Sequence, residues 1–111
     1  MAEERRLESH PVVFLRRPPD APDLPEERLV ELQRQHLAHL DALTAAGDLL
    51  VAGPCGDQED ESLRGICIFR ADLSVDDVRR LMGDDPSVRA GRLAVEALTW
   101  WTIEGVLAVR S

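Results

Sequence analysis

The sequence predicts an α+β domain in which two helices cover one face of a four-stranded antiparallel sheet, and three observations predict it. Short apolar runs recur at Pro11 to Leu15, Leu49 to Ala52, Gly65 to Ala71 and Leu93 to about Thr102. A long stretch of helical period and a shorter capped one separate the first run from the second and the third from the fourth. The resulting order, β-α-β-β-α-β, is a recognised supersecondary arrangement, and 111 residues suffice for one such domain but not for two.

Each element has its own signal. Pro11-Val12-Val13-Phe14-Leu15 is β-branched and apolar enough for a strand, whereas residues 1–10 are polar and aperiodic and read as a flexible N-terminal extension. Pro18, Pro19, Pro22 and Pro25 keep Arg17 to Pro25 out of helix and central strand, so an ordered loop leads into a helix over about Leu24 to Ala46. Asp23 or Leu24 caps it, Glu26 and Glu27 face the positive end of its dipole, and Gly47 ends it. Leu49-Leu50-Val51-Ala52 is a second strand stopped by Gly53-Pro54, and the acidic segment Asp57 to Glu61 is a solvated loop before the third strand.

Ser74-Val75-Asp76-Asp77 has capping-box spacing, with Val75, Val78, Leu81 and Met82 as one apolar face and Gly83 as the C-cap. Asp84-Asp85-Pro86 turns the chain, Ser87 to Ala90 can add a helical turn, and the last strand follows. The domain proper is thus expected over 11–103, with 104–111 a tail or an added strand. A sheet open to water on one side alternates strictly, yet the first two strands are continuously apolar. Two helices cannot cover both faces, so a homodimer packed sheet to sheet is expected.

Charge and composition exclude several function classes. The net charge is −8 and all 13 basic residues are arginine, which argues against a groove for a phosphate backbone, so no nucleic acid is expected as partner. No apolar run approaches the roughly 20 residues that span a bilayer, and Met1 to Ser9 lacks a signal core, so a cytoplasmic protein without a membrane partner is expected. Cys55 and Cys67 form no CxxC pair and read as free thiols. With no lysine and no tyrosine, chemistry falls to His, Asp, Glu, Arg, Ser, Thr or Cys.

The first helix carries the most informative of these. At about 100° per residue Leu29, Leu32, Leu40 and Leu43 share a stripe, and His36 lies in its middle. His39 falls on the edge of the stripe and Asp41 on the solvated far side. An imidazole in an apolar stripe needs partners for its nitrogens, as a core histidine bonded to a backbone carbonyl or as an active-site base. His36 and His39, at i and i+3, could share a metal, but no third ligand of recognisable spacing follows, so neither a metal nor another cofactor is expected. Asp85, held extended by Pro86, is on its own an ordinary turn or cap residue.

Together, Gln35-His36-Leu37-Ala38-His39-Leu40, Ala52-Gly53-Pro54 and Asp85-Pro86-Ser87-Val88-Arg89-Ala90-Gly91 resemble the three signature segments of the YciI-like (YCII-related) family, over about Val12 to Trp101. The resemblance implies a ferredoxin-like fold that dimerises as an α/β barrel, and a His and Asp pair that maps onto His36 and Asp85 as catalytic residues. On that basis His36 is the expected general base and Asp85 its orienter, because a carboxylate on one imidazole nitrogen fixes the tautomer and raises the basicity of the other. Pro54 is expected to shape the pocket mouth, and Arg89 and His39 to contact substrate. The family includes proton-transfer chemistry such as dehydrochlorination of aromatic compounds, so a lyase or isomerase acting on a small molecule is expected, with a non-catalytic small-molecule-binding or structural dimeric domain as the alternative. Residues 1–10 and Glu104 to Ser111 lie outside the resemblance, and Trp100-Trp101 stands where relatives usually end with a proline and an aromatic residue.

Overall fold

In the computed structural model, which describes residues 6–107, the chain runs β1 (Leu7–Arg16), α1 (Glu26–Ala45), β2 (Leu49–Pro54), β3 (Leu63–Phe69), α2 (Val75–Gly83), α3 (Pro86–Arg89) and β4 (Ala94–Ile103). The strands form one sheet in the order β2-β3-β1-β4, with every neighbouring pair antiparallel. This is the ferredoxin-like arrangement expected from the element order, with α3 as the added helical turn.

Alternation along the central strands sorts side chains between the two faces. Val13 of β1 registers with Cys67 of β3, and Leu15 with Gly65; Val13, Leu15, Cys67 and Phe69 join Leu43, Leu49, Val78, Met82 and Leu93 in the core beneath the helices. The intervening residues put Val12 opposite Ile68 and Phe14 opposite Ile66 on the other face, which no helix covers. That face continues through Leu98 and Trp100 of β4 and Val51 of β2.

Local sequence sets the helix ends. Pro25 precedes α1, whose first turn carries Glu26 and Glu27. Gly47 adopts φ +83°, and the Asp48 and Gly47 N–H groups donate to Leu43 and Thr44 O, a Schellman closure that a Cβ at position 47 would strain. The capping box of α2 is complete: Ser74 Oγ accepts the Asp77 N–H and the Asp77 carboxylate accepts the Ser74 N–H. These hydrogen bonds hold Asp77 below the usual carboxylate range. Gly83 is not the cap: α2 runs through it to Asp84, and the Asp85 N–H donates to Met82 O at 3.1 Å.

Two expectations change. β1 begins at Leu7, so residues 7–10 belong to the sheet and not to an extension: Leu7 pairs with Ile103 and His10 with Trp100, backbone pairing that polar side chains do not prevent. Residues 1–5, the rest of that expected extension, lie outside the described residues. Beyond β4, Glu104 donates to Arg6 O and Val106 to Ile103 O around Gly105 at φ +85°, a turn and not a strand through Leu107; 108–111 lie outside the described residues. Within one chain, Val51 of the apolar β2 run is 50% exposed on the uncovered face. Among the described residues, no helix is long and apolar enough to cross a membrane.

Candidate active site

His36 sits on α1 where the helix faces the sheet, and Asp85 sits where α2 hands over to α3. Asp85 is fully buried and caps α3, its Oδ1 accepting the Ser87 N–H at 3.0 Å, with Pro86 suited to the first helical position. Its Oδ2 lies 2.5 Å from His36 Nδ1. Against an ionised carboxylate, which only accepts, Nδ1 carries the proton, and in the neutral ring Nε2 then keeps a lone pair. Nε2 has no protein partner among the described residues, and it is not one of the sealed polar atoms. It is therefore open to the cavity that His36 lines.

That cavity, about 280 Å³, lies between α1 and the β2–β3 end of the sheet. Leu37 and Leu40 wall it from the helix, Ala52, Gly53 and Pro54 from β2, and Gly65 to Cys67 from β3. Gly65 permits this closeness: a Cβ there would stand 3.2 Å from Gly53 O. Burial, and then the charge of Asp85, push the Cys67 thiol up to about 12, so the sulfur at the cavity wall is a thiol and not a thiolate nucleophile.

Of the residues singled out in the sequence, the structure brings His36, Asp85 and Pro54 to this place, with Asp85 behind the imidazole and Pro54 at the wall. His39 is not at the cavity. Its Nε2 donates to Leu81 O at 2.8 Å, tying α1 to α2, because one step of about 300° around the helix turns it from the sheet toward the neighbouring helix. Arg89 is not there either; it is exposed and pairs with Asp84 at 2.8 Å. Asp41 is exposed, as the helical geometry requires. Among the described residues, no group of three His, Cys, Asp or Glu side chains is placed to hold a metal.

The family model for the YCII-related domain matches residues 12–102. The chain belongs to the YCII-related family. All three signature segments lie within the match, so the resemblance carried by them holds. No curated protein matches the sequence significantly. Among solved structures, the YCII-related chain is similar to the 5-chloro-2-hydroxyhydroquinone dehydrochlorinase from Burkholderia phenoliruptrix AC1100, in complex with 2,5-dihydroxybenzoquinone. The TM-score is 0.53 at 21% identity, over 82% of this chain and 90% of that one. A likeness at this identity supports the fold.

Several lining residues of this YCII-related domain escaped the sequence reading: Arg17, Gln33, Arg64 and Leu93. A signal for Arg17 was present. It follows Val13 and Leu15 by the two-residue period of β1, which turns it to the helix side, while Arg16 turns outward to Asp60 and Glu96. Arg64 had no such signal, because it is the residue skipped where the β1–β3 register shifts, Leu15 pairing with Gly65 and Arg16 with Leu63.

Proposed function

We propose that this protein is a proton-transfer enzyme, a lyase or isomerase for a small molecule, with His36 as general base and Asp85 as its orienter. The observation that carries the reading is the His36 Nδ1 to Asp85 Oδ2 contact of 2.5 Å behind an imidazole whose Nε2 opens on a cavity. A buried carboxylate at Nδ1 holds the Nε2 lone pair toward the cavity, and it stabilises the imidazolium that forms once a proton is taken from substrate. The apolar walls, Leu37, Leu40 and Pro54, exclude water from a ring-sized substrate.

The chain works as a homodimer in this reading. The uncovered sheet face carries Phe14, Ile66, Ile68, Leu98 and Trp100, an apolar surface that a second copy would bury.

The test compares wild type with His36→Asn in two assays: chloride release from 5-chloro-2-hydroxyhydroquinone, and exchange of ring protons of enolisable cyclic ketones into deuterated water. Wild type is expected to give catalysed turnover in at least one, and His36→Asn to lower it by about 10²–10⁴-fold. Undiminished activity in His36→Asn would contradict the reading, and silence of the wild type in both assays would favour a non-catalytic binding domain.

A further inference from the structure

Among the described residues of this acidic chain, six arginines hold a carboxylate: Arg16, Arg34, Arg70, Arg79, Arg80 and Arg89 each form an ion pair. Arg17, Arg64 and Arg92 do not, among the described residues, although the net charge of −8 leaves carboxylates in excess. What holds these three is main chain. Arg17 Nε donates to Arg92 O at 3.1 Å, Arg92 donates to Pro22 O at 2.9 Å, and Arg64 reaches Glu61 O at 3.4 Å. Neutral carbonyls orient the guanidinium groups without cancelling their charge. Among the described residues, both terminal amino groups of Arg17 are left without a protein acceptor.

The three also lie close enough to act on one another. Burial, then Arg92, then Arg64 lower the affinity of the Arg17 guanidinium for its proton. Keeping like charges together without a counter-charge is unfavourable and calls for an anion from outside the chain.

Their position says which anion. Arg17 and Arg64 line the His36 cavity. Beside it is a smaller chamber of about 140 Å³, which shares Arg17, Gln33 and Leu93 with the larger one and adds Arg92 and Ser87. The Ser87 side chain is buried, and its hydroxyl has no protein partner among the described residues. A chamber lined by two arginines, an amide and a free hydroxyl, opening beside an apolar cavity, has donors for one planar oxyanion and room for little else.

We infer that the ligand of the His36 cavity is an organic anion, a small ring or carbonyl compound bearing a carboxylate or equivalent oxyanion, whose charged group is held by Arg17 with Arg92 and Ser87 while its apolar part lies against Leu37, Leu40 and Pro54. Resting on the proton-transfer reading, this names the substrate class and the end from which the substrate is held. Binding the anion at Arg17 fixes which carbon faces His36, so Arg17 positions the substrate while His36 reacts with it.

The probes are benzoate and its uncharged isostere benzamide, titrated into wild type, Arg17→Gln and His36→Asn with binding followed by NMR. Wild type is expected to bind benzoate about tenfold or more tightly than benzamide, as for hydrogen bonds to a charged group, and the Arg17 Nε–H resonance to move. Arg17→Gln is expected to abolish that preference while benzamide binds as before. Equal affinity for the two probes in wild type, or a preference that survives in Arg17→Gln, would overturn the inference. Should Arg17→Gln fail to fold, Arg92→Gln keeps the main-chain carbonyl that orients Arg17 and is expected to cut the preference by about threefold, the effect of one partly exposed charge; no change there would count against the inference equally. The two proposals fail separately. Benzoate held through Arg17 with proton transfer unharmed in His36→Asn sinks only the base, and proton transfer lost in His36→Asn without any benzoate preference sinks only the anion subsite.

Discussion

His36 and Asp85 stand 49 residues apart in sequence and meet at 2.5 Å across the α1–α3 contact. The carboxylate that orients the imidazole also caps a helix, so site geometry and local stability depend on the same side chain. Asp85→Asn can still accept the Ser87 N–H, but its amide offers a donor to Nδ1 and favours the opposite tautomer. Fold is expected to survive and proton-transfer activity to fall by about 10²–10⁴-fold. Asp85→Ala loses both bonds and is expected to cost about 2–4 kcal/mol in urea unfolding.

His10 supports the other end of the sheet. Its Nδ1 lies 2.8 Å from Phe69 O and its Nε2 3.1 Å from Glu8 Oε1, with the residue 2% exposed. His10→Leu keeps apolar bulk but leaves the Phe69 carbonyl unpaired, an expected loss of about 1–3 kcal/mol. Glu8→Gln retains an acceptor and is expected to change unfolding much less; equal losses for the two variants would show that the carbonyl bond does not matter.

Cys67 gives a pH dependence with a definite sign. Burial, then Asp85, raise the thiol from 9.0 to about 12, so between these values the unfolded chain has released a proton that the folded chain retains. Stability from this group is complete below the unfolded value and is lost as pH rises toward the folded one. Wild type is therefore expected to lose more stability than Cys67→Ala between about pH 8 and pH 10, read from urea midpoints. Identical slopes would contradict it.

The uncovered sheet face is testable by charge. Ile68→Arg places a cation beside Val12 and Val51 on a face the helices do not cover, so the fold of one chain has little reason to change. Light scattering is expected to show twice the chain mass for wild type and the single chain mass for Ile68→Arg. A monomeric wild type at micromolar concentration would contradict sheet-to-sheet pairing.

Much of this was legible in the sequence because periodicity reports faces. The leucine stripe put His36 inward and Asp41 outward, and Ser74 with Asp77 announced α2. Resemblance, and not periodicity, joined His36 to Asp85, since nothing local relates positions so far apart. The two residues misassigned to the site failed for physical reasons: His39 meets the Leu81 carbonyl of a neighbouring helix, and Arg89 finds Asp84 beside it at the surface. Arg64 was hidden by a register shift, and Arg92 by a role that only tertiary proximity to Arg17 creates. The N-terminal boundary failed because residues 7–10, polar but for Leu7, are held by backbone pairing to β4, which composition does not report.

The central claim is that Asp85 leaves His36 with a proton on Nδ1 and a free lone pair on Nε2 facing the cavity. Long-range proton–nitrogen NMR of the imidazole reads this directly. In the neutral ring the expected spectrum has Nδ1 protonated and Nε2 bare, with the pattern reversed in Asp85→Asn. A neutral His36 with the proton on Nε2 in wild type would contradict the assignment of His36 as the base.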